Sequence, residues 1–262
     1  MGASSRTPAV LPAGGEISRG VLLSHAPSCT ITLVSRDFDN PDRRVILMSM
    51  SNHKLAKLLT DKLPSKANLF NPWRDHCDDD KSWNGPNEKL DRLSAHLDCN
   101  PKFILCGEAA GYQGCRHSGI AFTSERLLLL GKIPRISPIS HRLTLRNLPY
   151  SEPSATIVWD TLYHLDIEKH TILWNALPLH PHKLGKAESN RTPTLAEIQH
   201  GKPALQILVA SFPSAKVVAV GKKAELSLRS MGIAYAPVRH PAYGGATEFA
   251  QGLQLLVRNA PA

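Results

Sequence analysis

The chain has no CxxC pair, and its five cysteines, Cys29, Cys77, Cys99, Cys106 and Cys115, are odd in number and irregularly spaced. That excludes a disulfide framework as the organising principle and points to free thiols in a reducing compartment. No secretory signal is recognisable, so an intracellular, cytoplasmic protein is expected. Apolar runs such as Leu127 to Leu130 are interrupted within a few residues, far short of the ~18 needed to span a bilayer. The small-residue stretch from Gly107 to Arg116 lacks the GKS/T ending of a P-loop and does not spell GxGxxG. Neither loop-borne nucleotide signature is therefore available to it.

What the chain does have is positive charge and core-forming residues. Its 262 residues carry 31 Lys+Arg against 22 Asp+Glu, a net charge of +9, and 42% are hydrophobic. That content supports a real core, in one large α/β domain or two small ones, and rules out disorder for the bulk of the chain. Excess cations on a globular chain favour phosphate-rich partners, because each Lys or Arg that meets a phosphate releases a condensed counterion. Residues 1–50, with scattered Gly, Pro and Ser, read as an N-terminal extension, with an ordered strand pair as the alternative. Met48 and Met50 directly precede the amphipathic stretch Lys54 to Leu59, so a translation start there is a live reading. Residues 51–262 form the expected domain. Its stretch from Ser65 to Glu88 reads as loop, with Asn, Asp, Pro and Trp throughout, and Leu90, Leu93 and Leu97 mark one short helical face.

From Pro101 strand and helix signals alternate. Phe103 to Gly107, Thr171 to Asn175, Lys216 to Gly221 and Ile233 to Val238 read as strands. Ser124 to Leu130, Ile157 to Leu165 and Ala224 to Met231 read as helices. Thr194-Leu195-Ala196-Glu197 is a capping box opening a helix that runs to about Ala210. The alternation predicts a three-layer α/β/α fold with a mostly parallel central sheet, whose ligand site lies at the carboxyl ends of the strands.

Three segments leave strands at that edge. The first carries Gly107, Glu108, Ala109 and Gly111, small residues that let backbone N–H groups approach an anion or a planar ligand. The second carries Asn175, whose amide offers an acceptor and a two-hydrogen donor in one plane, suited to the edge of a base. His180 and His182 follow it, but two histidines without a third ligand at a recognisable spacing make no metal site. The third carries Arg239, His240 and Tyr243 beside Gly244-Gly245, which puts a cation, a titratable ring and an aromatic on one turn.

The order and spacing of these motifs resemble the uracil-DNA glycosylase superfamily over roughly residues 100–256. Gly107-Glu108-Ala109-Ala110-Gly111 is similar to its GEAPG motif, with Ala in place of Pro, and His240-Pro241-Ala242 to its closing HPS/HPA motif. Gly119-Ile120-Ala121-Phe122 is similar to its G-x-P-F segment, and Asn175 stands where the base-reading Asn does. The resemblance implies a monofunctional glycosylase that hydrolyses the N-glycosidic bond of deoxyuridine in DNA and begins base excision repair. It implies Phe122 as the stacking platform, Asn175 as the base reader, and Gly107, Ala109 and Gly111 as the close-approach backbone. His240 is then the donor to uracil O2 and Tyr243 the wedge that fills the gap in the duplex. Arg116, His117, Lys183 and Arg239 flank the exits as expected phosphate contacts.

The chain also departs from the family. Where some members carry a water-positioning Asp, two places after the strand glycine, this chain has Ala109, and the role passes by expectation to the neighbouring Glu108. Without a closely spaced cysteine pair no iron–sulfur cluster is expected, and no metal or other cofactor. The expected protein is a nucleoid-associated cytoplasmic monomer whose partner is uracil-containing DNA, single- or double-stranded. Two rivals remain at this stage. One is a damaged-DNA-binding protein with weak or no turnover; the other is a nucleotide-binding α/β protein with a closed pocket and no basic flanks.

Overall fold

The computed structural model describes residues 50–259, so the expected extension over residues 1–50 falls almost wholly outside the described residues. The first described helix is α1 (Asn52–Thr60), whose N-cap Ser51 accepts from Lys54 N–H. A two-residue strand β1 (Leu69–Phe70) then crosses the stretch expected to be loop. Helix α2 (Pro86–His96) starts with proline in its first turn, where a missing N–H costs nothing. Strand β2 (Phe103–Ala109) is followed by two one-turn helices, α3 (Cys115–Ser118) and α4 (Glu125–Leu129), and by α5 (Pro153–His164). The remaining elements are β3 (Thr171–Leu177), β4 (His180–Pro181), α6 (Leu195–Ser211), β5 (Lys216–Val220), α7 (Lys222–Met231), β6 (Ala236–Val238) and α8 (Ala246–Arg258).

The central sheet is parallel throughout, in the order β3-β2-β5-β6. Side chains alternate across it, so each strand feeds two cores. Ile104, Cys106, Ile172, Trp174, Val217 and Ala219 pack under α1, α2, α6 and α7. Phe103, Leu105, Leu173, Val218 and Val220 pack under α4, α5 and α8. Burial on both faces is why the strands read as unbroken apolar runs. The expected capping box opens α6, with Thr194 Oγ1 accepting from Glu197 N–H and Glu197 Oε2 from Thr194 N–H.

Two boundaries shift the most. The last strand covers Ala236–Val238 rather than starting at Ile233, because α7 ends at Gly232 in the left-handed region and Ile233 N–H turns back to Leu228 O. Helix α5 begins at Pro153, before the first periodic apolar residue. Strand β3 lies at the sheet edge, where unpaired backbone groups invite misassembly. His96 covers it: its Nε2 accepts from Leu173 N–H, and burial together with nearby Arg135 holds the ring well below the usual histidine range, in the neutral form an acceptor requires. Among the described residues no helix is long and apolar enough to cross a membrane, and Cys77, Cys99, Cys106 and Cys115 are all free.

A buried ionic hub ties the segment before α2 to the body of the protein. Lys89, fully buried on α2, donates to Asp80 Oδ2 at 2.6 Å, while Asp80 Oδ1 meets His117 Nδ1 at 2.7 Å and Asn84 Nδ2 at 3.0 Å. Burial pushes the Lys89 ammonium down in pKa, and the Asp80 carboxylate opposes that shift. Removing one partner of such a pair strands an uncompensated charge, which typically costs about 3–5 kcal/mol. Asp80→Ala is therefore expected to lower unfolding free energy by that amount in urea titrations. The double variant Asp80→Ala/Lys89→Met, which removes both charges, should recover most of the loss.

Candidate active site

A cavity of about 380 Å³ opens at the carboxyl ends of the sheet strands. Its floor is set by strand register. Gly107 on β2 lies directly opposite Asn175 on β3, and a Cβ at Gly107 would fall 2.5 Å from Asn175 Oδ1 and 2.8 Å from Phe122 Cζ. Only glycine leaves room there for the amide and the ring to converge. Asn175 is buried apart from its face on the cavity, which is where its amide is presented.

Phe122 sits at φ 49°, a conformation that bulky residues rarely adopt. The surrounding structure holds it there: Trp159 Nε1 donates to Phe122 O at 3.0 Å and to Thr123 Oγ1 at 3.2 Å. The opposite wall carries His240, its ring centroid 6.5 Å from that of Phe122. Ala242 N–H donates to His240 Nδ1 at 3.1 Å. Nδ1 is thus an acceptor, and the remaining proton sits on Nε2, free to be donated. Burial, reinforced by Arg239 and Lys223, lowers the His240 pKa and favours that neutral form.

The rim is cationic and open. Lys222, Lys223 and Arg239 line it together with Tyr243, whose side chain is 99% exposed on a left-handed turn at φ 53°. A fourth strand exit, Val220-Gly221-Lys222-Lys223 at the end of β5, supplies the two lysines; their doublet directly after a buried strand ending in glycine was the available signal. Glu108 lies in the cavity, half-buried, with Lys223 Nζ 3.6 Å from its Oε2. Burial raises its carboxyl and Lys223 opposes the rise.

A second carboxylate, Glu152, lines the same cavity from the N-cap of α5. Nothing in the sequence marked it, since it stands outside every motif. A Cβ at Gly114 would overlap its Oε2, so the glycine in the loop after β2 makes its room. Burial alone pushes Glu152 up to about 7.

The structure therefore brings together Gly107, Glu108, Ala109, Gly111, Phe122, Asn175, Arg239, His240 and Tyr243. It does not bring Arg116 and His117 to the surface, which corrects their expected role as phosphate contacts. Both belong to the one-turn helix α3, which packs inward. Arg116 lies 3.8 Å over the Phe70 ring and meets His180 Nδ1 at 3.0 Å. His117 is stacked on Tyr150 and bound to Asp80. Lys183 is exposed but lies outside the cavity lining. Burial and the neighbouring Arg116 guanidinium drive His180 down to about 3. Cys77, Asp80 and His117 bring potential ligand atoms within 4.8 Å of one another, but Lys89 and His117 already occupy both Asp80 oxygens. Gly107→Ala tests the close approach: it should cost about 1–3 kcal/mol through overpacking, read by chemical denaturation.

Comparison with known proteins bears on the fold and the family. No curated protein matches the chain by sequence. Wild-type SMUG2 of Pedobacter heparinus shares its fold, with a TM-score of 0.55 over 80% of this chain and 97% of that one, at 12% identity. The family model of the uracil DNA glycosylase superfamily matches residues 94–256, a span that contains every cavity-lining segment from β2 to the turn after β6. The chain belongs to the uracil-DNA glycosylase superfamily.

Proposed function

We propose that the protein is a monofunctional glycosylase that removes uracil from DNA by base flipping and hydrolysis of the N-glycosidic bond. Its superfamily makes it a DNA glycosylase in class. The uracil assignment rests on one observation: Asn175, Phe122 and His240 converge on a single cavity whose floor is the bare backbone of Gly107.

A glycosylase must extrude its target nucleotide, at a cost of a few kcal/mol, and recover that through contacts to the flipped base. Phe122 supplies a stacking surface. The Asn175 amide matches uracil N3–H and O4 with its acceptor and donor, whereas cytosine has no N3 proton and presents an amino group at position 4, so the same amide orientation mispairs twice. As the glycosidic bond lengthens, negative charge grows on uracil O2, and the Nε2–H of neutral His240 is the donor suited to meet it. Glu108, paired with Lys223, adds negative charge beside the cationic sugar. Lys222, Lys223 and Arg239 on the rim suit backbone phosphates, and exposed Tyr243 suits the gap left in the stack. An open mouth with a basic rim speaks against a closed nucleotide-binding pocket.

The direct test is incubation with uracil-containing single- and double-stranded oligonucleotides, followed by alkali treatment. Strand cleavage supports the enzyme, and a salt-sensitive mobility shift without cleavage supports a binding protein. Asn175→Ala is expected to slow single-turnover release at least about 30-fold, the worth of two hydrogen bonds. Its affinity for undamaged DNA should stay close to wild type, because phosphate contacts lie elsewhere. His240→Ala should lose about 10²–10³-fold, as removal of a donor to a developing oxyanion does. Normal release by Asn175→Ala would overturn the base-reading assignment.

A further inference from the structure

Two carboxylates face the cavity, and they differ in what holds them. Glu108 is committed to Lys223, which also donates to Thr192 Oγ1 at 2.8 Å. Glu152 has no such partner among the described residues: it is half-buried, it lies in the space left at Gly114, and no described side chain or backbone group hydrogen-bonds or pairs with its carboxylate. A carboxylate that faces a cavity half-desolvated, with no described cation beside it, is free to act on what enters the cavity, and such groups concentrate at functional sites. Ala109, on the same cavity, offers only a methyl. Hydrolysis needs an acceptor for the proton of water, and an acceptor already engaged by an ammonium is the poorer base of the two.

We propose that Glu152, rather than Glu108, holds the attacking water and takes its proton, a role that rests on the glycosylase reading. The step balances: the water oxygen bonds to C1′ of the deoxyribose, the glycosidic pair leaves with uracil N1, and the water proton passes to a Glu152 carboxylate oxygen. The uracil anion, supported at O2 by His240, then departs and is protonated from solvent. The products are an abasic sugar and uracil.

The role has a pH signature. Only ionised Glu152 accepts a proton, so release should rise with pH up to about 7, where burial has placed this group, and flatten above. Among the described residues the other charged or titratable groups around it are Glu108, Lys222, Lys223, Arg239, His240 and Tyr243 in the cavity and buried Cys115 on α3, whose thiol is raised by burial and by Glu152 itself. His240 is shifted downward and Cys115 upward, so neither is placed to produce a limb near 7, and Glu108, which burial also raises, is distinguished by its own variant.

The experiment is single-turnover uracil release by the full chain from one single-stranded uracil oligonucleotide, from pH 5.5 to 8.5 at fixed salt. Glu152→Gln should lose about 10²–10⁴-fold at pH 8 and lose the rising limb. Glu108→Gln should lose at least tenfold less and keep it. Gly114→Ala, which displaces the Glu152 carboxylate without removing it, should also lose at least tenfold. Thermal melting separates chemistry from folding. A carboxyl whose folded-state pKa lies above the unfolded value binds its proton more tightly when folded, so ionisation costs stability as pH rises from about 4.5 through about 7. Glu152→Gln should thus melt at or above wild type at pH 8, the gap closing by pH 5. Near-wild-type release by Glu152→Gln, a larger loss in Glu108→Gln, or a wild-type profile without the limb overturns the proposal and leaves the glycosylase reading standing. Absence of uracil release by the wild type overturns both.

Discussion

The site depends on a missing side chain. Parallel pairing sets Gly107 opposite Asn175, and the absence of a Cβ there lets an amide and an aromatic ring close over the strand backbone. Phe122 carries its ring to that strand from a left-handed backbone turn. Trp159 holds that turn through two hydrogen bonds from its indole. A helix residue in the second core thereby supports a ring that faces the cavity, which is how packing far from the mouth controls the geometry of the floor.

Electrostatics divides the molecule in a consistent way. Negative charge that must be stable is buried with partners, as at Asp80 and at Glu125. Burial pushes the Glu125 carboxyl up, but Arg142, Thr144 and the backbone N–H groups of Tyr150 and Leu143 outweigh it and hold it at about 2. Positive charge stays exposed along the cavity mouth. Glu152 departs from the first pattern as a half-buried acid with no cation beside it among the described residues, and the departure falls on the cavity lining. Local rules broken without compensation are most often functional, because nothing in folding alone retains them.

The sheet was legible because parallel strands buried on both faces leave unbroken apolar runs, and α6 because its capping box is a local hydrogen-bond pattern. Asn175, Phe122 and His240 were legible because each stands in a motif at a strand exit. Glu152 was not, because its place comes from the way α5 returns across the loop after β2, a long-range contact with no local pattern. Arg116 and His117 misled for a related reason. Two basic residues beside a strand exit look solvated until Phe70, Asp80 and Tyr150, all distant in sequence, close around them. The shortened β6 reflects a helix stop whose geometry uses Ile233 for packing.

Strand order also sets when the molecule becomes competent. The central strand β2 pairs at Phe103 with Thr171 on one side and Lys216 on the other, and the His240 turn follows the outermost strand. Every wall of the cavity is therefore a non-local contact, and such topologies fold more slowly than locally wired ones because loop closure precedes any reward. No stretch shorter than residues 107–243 contains the whole cavity lining. During vectorial synthesis at ~5–20 residues per second, β2 waits for the carboxyl-terminal third of the chain, so a nascent polypeptide on the ribosome has no means of opening a glycosidic bond before its last strands dock.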